Sequence, residues 1–219
     1  RVRGAVLAAV LALAGFTLFV QARIAMLDGF MAAFVVLALA AMLWAARCRG
    51  RAVAWRWLLG AVLLGLACGT KWTAVPYVAF AAFAFAAVRR VRPAAWPGLS
   101  WWRAWVLLGG GAGSAYLLTF LPAFFYRTEP LRWDTLIPFQ ALMYAQQTQV
   151  LAAHTYQSAP WTWALDLRPI WYLYEPVDGA QRGVLMLGNP AVMWGGLVAV
   201  AACAIGWLRT RDVRTGTAA

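Results

Sequence analysis

The chain alternates between apolar runs about as long as a bilayer is thick and short clusters of arginine, and few folds accommodate that pattern. A membrane-crossing helix needs roughly 20 consecutive apolar residues. Gly4 to Ala22 is a first such run, and Gly29 to Ala46 is a second. Trp57 to Val88 is too long for one crossing but suits two short ones joined at Gly69-Thr70-Lys71, near its middle. Trp105 to Tyr126 is the fifth, loosened by Gly109-Gly110-Gly111 and Gly113. Val184 to Leu208 is the sixth, its start delayed or kinked at Asn189-Pro190. Hydrophobic residues make up 64% of the 219 residues and charged residues 12%, so a soluble domain would have too little polar surface to cover its core. The expected class is an all-α integral membrane protein with about six transmembrane helices.

The charges then orient the helices. The net charge of +12 comes from 19 basic against 7 acidic residues, all but one of the basic ones arginine. In a soluble chain such an excess would suggest nucleic acid; at the ends of apolar helices it sets topology and meets lipid headgroups, so no nucleic-acid partner is expected. If the helix ends alternate, Arg1 and Arg3, the cluster Arg47, Arg49, Arg51 and Arg56, the group Arg89, Arg90, Arg92 and Arg103, and Arg209, Arg211 and Arg214 share one side. The positive-inside rule makes that side cytoplasmic. Arg23, Asp28, Lys71 and the long loop then face outward. The organisation is thus residues 1–126 with helices one to five, 127–183 as an extracytoplasmic loop with amphipathic segments, and 184–219 as helix six and a cytoplasmic tail. Trp96, Trp101 and Trp102 read as an interfacial aromatic belt. The location is a cell membrane crossed several times, with the active face outside. With no initiating methionine and no signal peptide, the chain is expected to be a piece of a larger membrane protein.

Chemistry concentrates in one stretch, HTYQSAPWTWALDLRPIWYLYE, from His154 to Glu175, where polar, charged and aromatic residues interleave. No Walker loop, GxGxxG, HExxH or GxSxG is present. One histidine without a Cys or Glu at ligand spacing makes no metal site, and Cys48, Cys68 and Cys203 have no CxxC spacing and read as small packing residues. Neither a metal nor a cofactor is expected. An extracytoplasmic membrane enzyme can use a lipid-borne donor whose phosphate calls for arginine or lysine. Arg23, Lys71 and Arg168 are the candidate phosphate contacts. Arg23 could instead snorkel to headgroups, Lys71 could merely end two helices, and Arg168, held before Pro169, could pair with an acid. Asp28 could orient Arg23, bind acceptor or serve the start of a helix. His154, Tyr156, Gln157, Ser158, Trp161 and Glu175 are candidates for the acceptor or sugar side. Trp161, Trp163, Trp171 and Tyr172 could stack on sugar or peptide, or anchor a segment lying flat on the membrane.

Four blocks carry a family resemblance. ARIAMLDGF resembles the S-R-x-x-L-L-D segment of the protein O-mannosyltransferases, and LGLACGTKWTAV is similar to their G-x-x-x-x-T/S-K-W/F segment. The His154–Glu175 stretch resembles their H-P-Y-x-S-x-P-W-x-W…R-P-x-x-Y-Y loop, and LGNPAVMW their GNP-x-x-W. The resemblance implies a multi-helix bundle of the GT-C type, with a catalytic cavity outside the cytoplasm. It implies transfer of mannose from a polyprenyl-phosphate lipid to Ser/Thr hydroxyls of secreted proteins, with Arg23 contributing to the lipid phosphate. It also places the acidic base in a loop upstream of Arg1, leaving Asp28 as a weak internal candidate. Thr155 stands where the family usually has proline, and Gln147 where a second histidine is common. A related lipid-carrier enzyme with another sugar or acceptor, such as the aminoarabinose type acting on lipid A, therefore stays open, as does a dimer. A transporter fits less well, because the charges sit at helix ends and no internal repeat is visible.

Overall fold

Helices form where an apolar run meets a stop signal. The computed structural model describes residues 2–150, 152, 156–168 and 170–210. In chain order the helices are α1 (Val2–Ala14), α2 (Phe16–Arg23), α3 (Leu27–Ala45), α4 (Arg51–Thr70), α5 (Val75–Val91) and α6 (Trp101–Leu118). Then come α7 (Leu136–Gln147), α8 (Pro160–Ala164), the strands β1 (Ile170–Val177) and β2 (Ala180–Met186), and α9 (Pro190–Thr210). Two 3₁₀ turns, Trp72–Ala74 and Leu121–Phe125, extend the breaks after α4 and α6. Among the described residues, five helical stretches are long and apolar enough to cross a membrane, or six if α1 and α2 count as one span. The protein is a predominantly helical, multi-pass membrane protein. It divides into two compact units, one of residues 1–26 with 151–219 and one of residues 27–150.

In the 27–150 unit, α4 is the central element, packed between α3 and α6. Its Trp57, Ala61, Leu64, Gly65, Ala67 and Cys68 are buried. Gly65 lies so close to α6 that a Cβ there would overlap the backbone of Ala112 and come within 2.7 Å of the Ala115 Cβ. Lipid tails give helices no hydrophobic reason to associate, so small residues that let backbones approach take over that role. Outward side chains such as Phe30, Val36, Leu43, Phe80 and Phe83 stay exposed, as befits a lipid-facing surface.

The turn before α6 departs from expectation. Trp96 is not part of a membrane-surface belt: it is 5% exposed, and its indole Nε1 donates to the Met42 carbonyl at 2.9 Å. Its ring lies 5.5 Å from that of Trp57 and 5.2 Å from that of Phe85. A buried indole needs an acceptor, and the last turn of α3 supplies one. Arg89 ties the turn down, donating to the Ala95 and Trp96 carbonyls at 2.8 and 3.1 Å. Trp102 does remain exposed. Ser100 caps α6 by accepting from the Arg103 N–H, which is the reason a serine before an apolar run starts a helix.

The other unit corrects two expectations. The Gly4–Ala22 run is not one straight helix: α1 and α2 meet at Gly15 with a 58° bend. The stretch from 170 to 186, read as part of a loop running into helix six, is an antiparallel hairpin. Asp178 and Gly179 form its two-residue turn, with φ of +53° and +76°. Two left-handed residues in sequence make the turn whose twist matches a hairpin, and Asp-Gly is among the pairs that accept it at least cost. Glu175 stands opposite Arg182, and the ladder is irregular between Trp171 and Leu173. α9 therefore begins at Pro190 rather than Val184. Asn189 caps it, its Oδ1 accepting from the Ala191 N–H at 3.1 Å, with proline in the first helical position. The Asn189 amide also donates to the Ala14 carbonyl at 3.0 Å, joining the start of α9 to the end of α1.

Candidate functional site

In the 27–150 unit the polar groups gather where α4 breaks. Lys71 leaves the helix with an extended backbone, φ −158° and ψ 130°, its N–H still bonded to the Ala67 carbonyl. Its ammonium reaches Asp28 in the first turn of α3, with Nζ to Oδ1 at 2.7 Å. Asp28 is therefore the partner of Lys71. Both side chains are partly open to solvent, at 38% and 25% exposure, so the ammonium keeps donors available for an anion beside the carboxylate. Next along the chain, Trp72 Nε1 donates to the Tyr116 hydroxyl at 3.0 Å, and that hydroxyl donates to Gln140 Oε1. The chain Trp72–Tyr116–Gln140 thus links the α4 break to α6 and α7 and fixes the backbone that presents Lys71. α3 and α4 run antiparallel, so Arg47, Arg49, Arg51 and Arg56 sit at the opposite end from Asp28 and Lys71.

In the other unit Arg23 is the last residue of α2, exposed, with its guanidinium 5.9 Å from the Phe19 ring one turn earlier. Among the described residues of this unit no carboxylate lies within ion-pair distance of it. Arg168 is positioned by its neighbours: Nη1 donates to the Gln157 carbonyl at 2.6 Å, and the guanidinium lies 4.9 Å above the Tyr156 ring. Ser158 Oγ accepts from Trp163 Nε1 at 2.8 Å. The expected candidates Tyr156, Gln157 and Arg168 are thus brought together, and Ser158 is tied to α8. Trp161 is 67% exposed, and Glu175 is exposed on β1, opposite Arg182. His154 and Pro169 lie outside the described residues.

Sequence reasoning missed Tyr116 and Gln140, because a lone tyrosine in an apolar helix carries no periodic signal. It also missed the role of Trp72. The hairpin did have a signal, the Asp178-Gly179 pair between β-branched and aromatic residues.

A family model described as dolichyl-phosphate-mannose-protein mannosyltransferase matches residues 1–128, more than half of the chain. The chain belongs to this family. A second model, the C-terminal four TMM region of protein-O-mannosyltransferase, matches residues 132–215. The polyprenol-phosphate-mannose--protein mannosyltransferase of Mycobacterium tuberculosis is 33% identical over 235 residues, covering 80% of this chain and 45% of the relative. The protein of the same description in Mycolicibacterium smegmatis is 29% identical over 265 residues, covering 94% and 50%. The chain spans about half the length of these curated relatives. No solved structure matches it. For this member of the protein O-mannosyltransferase family, the Lys71–Asp28 pair lies within the first matched region and the Arg168 cluster within the second.

Proposed function

We propose that the protein carrying this chain transfers mannose from a polyprenyl-phosphate lipid to Ser/Thr hydroxyls of secreted proteins, at the extracytoplasmic face of a cell membrane. The observation that carries the reading is Lys71, a cation held at a helix break by Asp28, at the end of α3 and α4 away from the arginine clusters. An intramembrane or interfacial cation in such a place suits a lipid-borne phosphate. The two mycobacterial relatives are described as mannosyltransferases acting on protein, which supports mannosyl transfer to protein. The donor is itself an activated sugar, so the proposal includes no cofactor. A carboxylate must take the proton of the attacking hydroxyl. Asp28 is engaged by Lys71, and we place the base in a segment upstream of Arg1. The test is release of mannose from polyprenyl-phosphate-mannose onto a Ser/Thr peptide by the intact protein in proteoliposomes. Donor left unconsumed with every peptide tried would overturn the reading.

Sidedness has its own test. Single cysteines at Arg90 and Ser158 should react oppositely with an impermeant thiol reagent on intact cells, position 158 labelling and position 90 remaining silent, because the arginine bias puts Arg90 in the cytoplasm. The reverse pattern would invert the topology.

Arg23 should contribute to the donor phosphate. A charge-assisted hydrogen bond contributes ~1.5–3 kcal/mol, so Arg23→Ala should lower kcat/KM for the lipid donor about tenfold to a hundredfold. Arg23→Lys should recover part, since lysine keeps the charge and loses the planar fork. Full donor efficiency in Arg23→Ala would remove the residue from the site.

A further inference from the structure

Asp166 sits where a glycine would cost less. It follows α8 in the left-handed region, φ +56°, with its own N–H bonded to the Trp163 carbonyl and the Leu167 N–H bonded to the Thr162 carbonyl. That pair of bonds is the helix-ending arrangement in which glycine is favoured at this position. An aspartate there carries a steric cost, and such outliers persist where something else requires them. Half of its carboxylate has a structural use: Oδ1 accepts from the Gly188 N–H at 2.9 Å. Gly188 permits that approach, since a Cβ on it would come within 3.1 Å of Oδ1 and 2.8 Å of Met193 Cγ. The other oxygen, Oδ2, is buried and has no hydrogen-bond partner among the described residues. A buried carboxylate oxygen without a donor is costly.

Asp166 borders a cavity of about 280 Å³ within this unit, whose walls include Trp163, Arg168, Met186 and Met193. Ligand pockets begin near ~300 Å³, so this one admits a compact group, such as a single ring, rather than an extended chain. Its chemistry selects further. The carboxylate needs hydrogen-bond donors. The Arg168 guanidinium, held by Gln157 and Tyr156, disfavours a cationic ligand. A neutral ligand bearing several hydroxyls satisfies both groups, and the Trp163 indole with the two methionines offers apolar walls to the C–H face of a sugar ring. The Trp163 ring is itself fixed by its bond to Ser158.

We propose that this cavity is a hexose subsite in which Asp166 accepts hydrogen bonds from sugar hydroxyls. The inference rests on the mannosyl-transfer reading and names the part of the chain that recognises the sugar. Asp166 positions the ring and takes no part in bond making.

The test uses the intact protein in nanodiscs, wild type and Asp166→Asn. Asparagine is tolerated in the left-handed turn and keeps an oxygen for the Gly188 N–H, so the fold should survive. Binding of methyl α-mannopyranoside, followed by saturation-transfer NMR, should weaken at least tenfold in Asp166→Asn, with an unchanged thermal midpoint. Polyprenyl-phosphate-mannose and its monodeoxy-mannosyl analogues are then compared in the transfer assay. Wild type should discriminate against one or more analogues, and Asp166→Asn should lose that discrimination while its KM for the peptide stays the same. Sugar binding that depends on Asp166 without any transfer would sink the mannosyl-transfer reading and leave the subsite standing. Transfer with the same sugar affinity and discrimination in both proteins would overturn the subsite, leaving Asp166 a turn residue. A change confined to the peptide KM would overturn it as well, by assigning the carboxylate to the acceptor. Absence of mannoside binding in the wild type overturns it outright.

Discussion

Lys71→Ala should lower mannosyl transfer at least a hundredfold, the largest loss expected from any single side chain described in the 27–150 unit. Two effects add. The proposed contact of the ammonium with the donor phosphate would be lost, and a charge-assisted bond of that kind contributes ~1.5–3 kcal/mol. Asp28 is also left as an unpaired carboxylate, only 25% exposed, at the place where an anion should bind, and like charges brought together disfavour binding. The second effect can be removed separately. The double variant Lys71→Ala with Asp28→Asn should recover part of the loss, to about tenfold below wild type, whereas Asp28→Asn alone should keep measurable activity. Lys71→Arg should hold an intermediate rate, with the charge retained and the geometry changed. Donor titrations at fixed peptide separate KM from kcat, and thermal midpoints separate binding from folding. A donor KM in Lys71→Ala equal to that of wild type would exclude the ammonium from the phosphate site.

The second large effect is structural. Gly65→Leu should prevent the 27–150 unit from packing, because the added side chain has no direction to escape. A Cβ alone already overlaps Ala112 of α6, and Ala112 is backbone held in its own helix. Inserting carbons into a packed interface costs ~1–3 kcal/mol when side chains can yield, and more when backbones must part. A loss of ~3 kcal/mol or more lowers the melting temperature of a chain this size by about 10 °C. Aggregation in detergent, or a fall of that order in the midpoint, is the expected result. Gly113→Leu on α6 is the control, since nothing lies within 4 Å of a Cβ there, and it should be nearly neutral. Equal midpoints for both variants would mean that α4 and α6 are not held in close contact by small residues.

The class of this protein follows from its sequence alone for a simple reason. A bilayer forces every backbone amide to bond within its own segment, so long apolar runs have one outcome, and Gly29 to Ala46 becomes a helix whatever surrounds it. Start signals are equally local: Ser100 and Asn189 mark helix starts because their side-chain oxygens accept from nearby N–H groups. The family was legible for a related reason, since four short blocks, around Arg23, Lys71, the His154–Glu175 stretch and Asn189, stand in the order that the family's blocks have. Pairing between distant residues was not legible. Nothing in the order of residues says that Lys71 reaches Asp28, 43 positions away, or that Trp96 leaves the membrane surface to fill the gap between Trp57 and Phe85. Those contacts depend on how α3, α4 and α6 cross, which small residues permit and no periodicity encodes. Asp166 shows the same division. Its charge could be read from the sequence, but its bond to Gly188, and an Oδ2 with no partner among the described residues, exist only once the end of α8 and the segment after β2 are folded together.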